Sequence, residues 1–141
     1  MKVEPFADLI NLGNMFITIY LFQKKEDIDK FIIYFKIITL MCYLIGRVCN
    51  KAMFLTWFHF LLTLLMFLIA VFSKDKDLLL YLCLMSNFII FTRRFFNRCL
   101  LRKVEKKSKL TDNKFFDKLN WDVIFLILGM IGMLKLHYFY M

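Results

Sequence analysis

The chain has 141 residues, of which 61% are hydrophobic and 18% aromatic, with one proline and a formal net charge of +9. This composition leaves no room for a sizeable soluble domain, and in a membrane protein lysine and arginine mark cytoplasmic loops rather than a nucleic-acid partner. We therefore predict an all-α integral membrane helix bundle of four to five spans, one domain over residues 1–141, with an amphipathic basic segment at one membrane surface.

The first three predicted spans cover about residues 5–22, 30–46 and 52–72. Pro5 suits the first turn of a helix, where its missing N–H costs nothing. The second span carries Lys36 near its middle. The third holds 21 residues without Asp, Glu, Lys or Arg, which alone predicts a transmembrane helix.

The length of the fourth predicted span depends on where its helix ends. Its apolar run, residues 78–91, has 14 residues, whereas about 20 are needed to cross a bilayer core. Because long basic side chains at a helix end snorkel to the headgroups, we extend this span past Arg93 and Arg94 to about residue 96. The choice between four and five spans depends on this segment.

Residues 92–118 contain ten Lys or Arg, with apolar residues at helical spacing, which predicts an amphipathic interfacial segment. A last span, residues 119–140, begins with Trp121 and ends in an aromatic belt. Placing the basic segment in the cytoplasm gives 13 Lys or Arg inside and six outside, leaving Lys36 out of both totals. The N-terminus is then inside and, with five spans, the C-terminus is outside.

Polar residues within each predicted span fall in one arc at 100° per residue. Their estimated depths predict an intramembrane polar cluster of Asn11, Asn14, Lys36 and His59, in which one of the two asparagines accepts from the lysine. Small residues on the last span predict close helix packing at Gly129 and Gly132.

Two interpretations of this cluster stay open at the level of sequence. In the first, the polar groups satisfy one another and hold the bundle in register. In the second, they form a route for protons or ions, because histidine titrates near neutral pH and intramembrane ionisable groups often mark such paths. A selectivity-filter sequence and a pair of broken helices are both missing, which favours the first interpretation.

The basic segment also has two interpretations: a topological stop, or a surface that binds anionic lipid headgroups or an acidic partner. Its aromatic residues are better explained by membrane insertion than by base stacking, so we expect no nucleic acid. The predicted basic patch comprises Arg93, Arg94, Arg98, Arg102, Lys103, Lys106, Lys107 and Lys109.

The sequence gives little support for a catalytic or metal-binding site. There is no GxSxG turn and no HExxH, and the four cysteines have no CxxC spacing. We expect a non-enzymatic protein with no cofactor and no metal.

The segment from Phe96 to Glu105, FNRCLLRKVE, resembles one found in small multi-pass membrane proteins of large nucleocytoplasmic DNA viruses. The resemblance implies a structural role in the internal virion membrane, with other membrane or capsid-type subunits, or further copies, as partners. Lysine outnumbers arginine 15 to 5, a bias that fits such viruses and equally a mitochondrial accessory subunit. The expected location is therefore a virion internal membrane or host endomembrane, otherwise the mitochondrial inner membrane or endoplasmic reticulum. A small viroporin-like channel is the alternative function.

Overall fold

The computed structural model describes residues 5–22, 27–95 and 120–141, and every regular element in these ranges is an α-helix. The predicted all-α fold class is confirmed. Residues 98, 102, 103, 106, 107 and 109 of the predicted basic patch lie outside the described residues, as does the segment that resembles viral proteins. The five helices are α1 (Pro5–Leu21), α2 (Asp27–Val48), α3 (Ala52–Phe72), α4 (Lys76–Phe95) and α5 (Trp121–Tyr140).

Four of these helices, α2 to α5, are long and apolar enough to cross a membrane. The first has 17 residues, or about 26 Å of helix against a hydrocarbon core of about 30 Å. The helix α4 reaches 20 residues because Lys76 and Asp77 extend it at one end and Arg93 and Arg94 at the other. The chain is thus a multi-pass membrane protein by the length and composition of its helices.

Consecutive helices run in opposite directions, so their ends form two faces. The basic face comprises the ends at Pro5, Val48, Ala52, Phe95 and Trp121, and the opposite face comprises the other five ends. Side-chain contacts join helices at each face: Asp8 to Arg47 at the basic face, and Asp29 to Ser73 at the opposite face. The outward surfaces carry large apolar side chains such as Phe16 and Leu84, which suit contact with lipid.

The tightest packing lies within two helix pairs, α2 with α3 and α4 with α5. Gly46 allows the first pair to approach, because a Cβ built there would meet Leu55 Cγ at 3.0 Å. The first helix packs mainly on α2, and the two pairs contact each other less closely. This arrangement leaves space between the pairs on the side that α1 covers.

Short turns close the helix ends. Asn50 has a φ of 54°, and the Lys51 N–H donates to the Gly46 carbonyl at 3.1 Å, which ends α2 in a Schellman-type turn. At the opposite face the Asp75 carboxylate accepts from the backbone N–H groups of Asp77 and Leu78 at 3.0 and 3.1 Å and caps α4. The turn at Ser73–Asp75 therefore provides the N-terminal cap of α4.

Candidate functional site

A partly enclosed cavity of about 80 Å³ lies between α1, α3, α4 and α5. At about 1.5 Å per residue, its lining runs from Arg93, about 3 Å from the end of α4, to Thr63, about 17 Å from the start of α3. It therefore occupies the half of the bundle nearer the basic face. The lining residues are Ala7, Ile10, Asn11, Asn14, Phe58, His59, Leu62, Thr63, Met85, Phe88, Ile89, Thr92, Arg93 and Phe125.

Two buried asparagines on α1 are among the residues that line this cavity. Asn11 is 7% exposed and Asn14 4% exposed. The Asn11 Nδ2 donates to the Ala7 carbonyl at 2.8 Å, which fixes the orientation of the amide. The Oδ1 atoms of both residues are buried and have no hydrogen-bond partner among the described residues. Each is thus an acceptor that lacks a donor.

Two threonines that line the cavity direct their hydroxyl protons to their own helices. Thr63 Oγ1 donates to the His59 carbonyl at 3.1 Å, and Thr92 Oγ1 lies 3.0 Å from the carbonyls of Phe88 and Ile89. Such back-bonding is common for threonine inside helices, where no other acceptor competes. The protons of these two hydroxyls are therefore already donated within their own helices.

Of the four residues in the predicted polar cluster, the structure brings three to the cavity: Asn11, Asn14 and His59. Lys36 is not part of the lining. Its side chain is 1% exposed, and its Nζ lies 3.7 Å from the centroid of the Tyr81 ring on α4. The expected hydrogen bond from Lys36 to Asn11 or Asn14 is not formed, because Nζ has no hydrogen-bond partner among the described residues.

The contact with Tyr81 gives Lys36 a different kind of partner from the one expected. An aromatic ring attracts a cation through its quadrupole, by about 2 kcal/mol when both are desolvated. This offsets part of the cost of about 3 kcal/mol for a lysine at the centre of a span. Lys36 is among the largest fully buried side chains in the described part of the bundle.

Two ion pairs lie at the basic face. Asp8 on α1 accepts from Arg47 on α2 at 2.8 Å (Nε) and 2.6 Å (Nη2), and it also accepts from the Tyr43 hydroxyl. Arg93 Nε on α4 lies 2.7 Å from Asp122 Oδ1 on α5, in ion-pair contact but outside hydrogen-bond geometry. These pairs join α1 to α2 and α4 to α5 beside the mouth of the cavity.

A second polar network at the opposite face was not predicted from the sequence. Ser73 Oγ donates to Asp29 Oδ1 at 2.9 Å, and Lys135 Nζ donates to the carbonyls of Val71 and Ser73 at 3.0 and 3.1 Å. A cation at the C-terminal end of a helix is favoured by unpaired carbonyls and by the helix dipole. The signal available in the sequence was a single lysine near the end of an otherwise apolar span.

The two predicted packing glycines lie between α4 and α5. A Cβ built on Gly129 would meet Ser86 Cβ at 3.2 Å, and one built on Gly132 would meet Cys83 Sγ at 2.8 Å. Both glycines are buried. They allow the backbones of this helix pair to approach.

Arg93 and Arg94, the described members of the predicted basic patch, lie in the last turn of α4. Arg94 is exposed, whereas Arg93 is partly buried and paired with Asp122. The two residues therefore differ in how available they are to a partner.

Within the described ranges, no three His, Cys, Asp or Glu side chains are grouped closely enough to hold a metal ion. Comparison of the chain with protein-family models, curated proteins and solved structures found no match.

Proposed function

We propose that this multi-pass membrane protein is a non-enzymatic component of a larger membrane assembly, anchored by its bundle and docked through its basic face. The observation that carries the proposal is the ion pair between Arg93 and Asp122. It holds the end of α4 next to the start of α5, so the two helix ends that the basic segment connects lie at one face.

Charge identifies the kind of partner. Between Phe95 and Asn120 the sequence has eight Lys or Arg and three Asp or Glu. Lys51 and Arg94 add positive charge at the same face. A partner with an acidic surface fits this charge, and the resemblance of residues 96–105 to viral membrane proteins makes a capsid-type subunit the partner we propose. Anionic headgroups at the same membrane surface would add to the attraction, at about 1 kcal/mol per basic residue.

The test is cross-linking and co-purification of the full chain from the membranes in which it is made. In one variant six basic residues become glutamine: Arg98, Arg102, Lys103, Lys106, Lys107 and Lys109. In the matched control, Lys30, Lys74 and Lys76 at the opposite face become glutamine. We expect a stoichiometric acidic partner with the wild type and the control, and its loss from the first variant.

Two further outcomes are informative. The same partner on both variants would contradict docking through the basic face. If no sample contains a protein partner and the first variant loses only bound anionic lipid, the basic face binds the membrane surface and not a protein subunit. Reactivity of Cys49 from the same side in all variants verifies that the charge changes have not inverted the chain.

A second candidate function is a pathway for protons or ions, and the meeting of Asn11, Asn14 and His59 at one cavity favours it. Purified protein in liposomes would dissipate an imposed pH gradient, and His59→Ala would abolish that flux. Wild-type vesicles that keep the gradient as long as empty vesicles would contradict this function.

A further inference from the structure

The cavity between α1, α3, α4 and α5 presents a mostly apolar surface to whatever occupies it. Four of its polar lining residues offer an occupant little. The hydroxyl protons of Thr63 and Thr92 are donated within their own helices, and the Oδ1 atoms of Asn11 and Asn14 are buried. An occupant that suits this surface is therefore one that binds by contact between carbon atoms and needs no hydrogen bonds.

The cavity is long and narrow along the helix axes. At about 1.5 Å per residue, its lining extends from about 3 Å to about 17 Å from the basic-face ends of the helices, a length of about 14 Å. The empty space, including its open side, is about 640 Å³, of which about 80 Å³ admits the centre of a water-sized sphere. The acyl chains of one leaflet fill half of a hydrocarbon core of about 30 Å. The cavity thus matches one acyl chain of the leaflet at the basic face in both length and depth.

The boundary between α1 and α4 is the side on which a lipid can reach this cavity. Because α1 packs mainly on α2, it does not pack closely along α4. The two helices contact each other through the rings of Phe6 and Phe88, whose centroids are 6.0 Å apart. An acyl chain seated here would lie between α1 and α4 and contact both.

We propose that the cavity holds one acyl chain of a phospholipid from this leaflet, with the phosphate group at the end of α4. The lining reaches Thr92 and Arg93 in the last turn of that helix, at the membrane surface. The next residue, Arg94, is exposed, and arginine binds phosphate through paired N–H groups. A cavity left empty would forfeit the van der Waals contacts that the chain provides. The site does not depend on the docking proposed above.

Two isoleucines provide a matched test. Ile89 lines the cavity about 9 Å from the end of α4. Ile127 lies on α5 about 9 Å from its start and is 49% exposed on the outer surface. A tryptophan at residue 89 would fill the cavity, whereas a tryptophan at residue 127 at the same depth would face the surrounding lipid.

The experiment measures the phospholipid that stays with the full chain after extraction from phosphatidylglycerol and phosphatidylcholine vesicles into dodecyl maltoside. Native mass spectrometry counts the lipid, and the detergent removes lipid that only surrounds the bundle. We expect one phospholipid per chain in the wild type and in Ile127→Trp, and about fivefold less in Ile89→Trp. No retained phospholipid in the wild type, or equal amounts in the two variants, would overturn the proposal.

A second filling variant, Ile10→Phe, narrows the cavity from α1 and guards against misfolding of Ile89→Trp, with helicity measured for both. It should also lower the retained lipid. Full retention in a helical Ile10→Phe protein would overturn the assigned site.

Competition identifies which part of the lipid is held. Lysophosphatidylglycerol, which has a single acyl chain, should displace the retained lipid from the wild type, and glycerol 3-phosphate should not. Displacement by glycerol 3-phosphate would show a headgroup site alone and overturn the proposal.

Two charge variants test where the phosphate group lies. Arg94→Gln should lower retention about threefold, and unchanged retention would overturn the position assigned to the phosphate. The variant described above with six glutamines between residues 98 and 109 should keep its phospholipid. Loss from that variant would place the lipid on the basic segment and overturn the cavity site, whatever the outcome of the docking experiment.

Discussion

Individual charged residues in this bundle are stabilised in two different ways. Asp8 has two donors, the Arg47 guanidinium and the Tyr43 hydroxyl, and the pair is partly exposed near the membrane surface. Lys36 lies deeper, is fully buried, and faces an aromatic ring in place of an acceptor. The depth of a charge in the membrane thus decides how much its removal changes stability.

We predict that Asp8→Asn lowers the free energy of unfolding by about 1–2 kcal/mol. The pair is a third exposed, so its loss costs less than the 3–5 kcal/mol typical of a fully buried pair. The measurement is a double-mutant cycle with Arg47→Gln in mixed detergent micelles, following helicity. Because both variants break one interaction, their effects should not add. Additive losses would contradict a direct coupling between α1 and α2 at this pair.

We predict that Lys36→Met stabilises the bundle by about 1 kcal/mol. Methionine has a similar length and removes a desolvated amine that costs about 3 kcal/mol, while the ring contact it loses is worth about 2 kcal/mol. In a Tyr81→Leu background, where the ring is absent, the gain should be larger. A loss of stability on Lys36→Met would instead indicate a stronger partner for the amine than the ring.

At this scale the sequence predicts the face on which a residue lies, but not its partner. A period of 100° per residue places Asn11, Asn14 and Lys36 on inward surfaces, and all three are buried. Whether Lys36 contacts an asparagine or Tyr81 depends on how α1, α2 and α4 are rotated and aligned relative to one another. A local sequence pattern does not contain this information. The same reason explains why the carbonyl partners of Lys135 were not predicted.

At the scale of elements, the sequence predicted the helices better than their association. Apolar run length gives α3 its bounds, Ala52–Phe72, and Pro5 marks the start of α1. In α4 the helix exceeds its apolar run of 14 residues, because charged residues at the ends of a span remain helical while their side chains reach the surface. The pairing of α2 with α3 and of α4 with α5 depends on how well the helix surfaces fit together. In the sequence, small residues are the main indication of such close packing.

We predict that Gly132→Ala destabilises the bundle by about 1–3 kcal/mol. The added methyl would lie 2.8 Å from Cys83 Sγ and 3.2 Å from Leu82 Cδ2, so either the Cys83 side chain would have to change rotamer or α4 and α5 would have to separate. Gly13→Ala is the control, since a methyl there has no heavy atom within 4 Å and should be neutral or slightly stabilising. Both are measured as unfolding free energies in micelles.

A rescue separates this clash from a general effect of alanine. Cys83→Ala removes the sulfur atom that the new methyl would meet. Combined with Gly132→Ala, it should recover part of the lost stability. Equal losses for Gly13→Ala and Gly132→Ala would show that close packing at α4–α5 is not the cause.

In the whole molecule, consecutive helices run in opposite directions. The turn at Cys49–Lys51, the C-terminal end of α4 and the N-terminal end of α5 therefore lie on one face, and the turn at Ser73–Asp75 lies on the other. The balance of lysine and arginine between these faces sets the orientation of a membrane protein, because basic loops stay in the cytoplasm. We predict that the basic face is cytoplasmic. Cys49, which is exposed in the first turn, and a cysteine introduced by Lys74→Cys in the second are probes of the two sides.

The measurement uses sealed vesicles of known orientation, a membrane-impermeant maleimide, and a chain in which the other native cysteines are serine. In vesicles with the cytoplasmic side inward, Lys74→Cys should react at once and Cys49 only after detergent is added. In vesicles of the opposite orientation, Cys49 should react at once and Lys74→Cys only after detergent is added. Labelling of both sites from one side would contradict the crossing of α3 between them, and reversed labelling would place the basic face, and with it the mouth of the cavity, outside the cytoplasm.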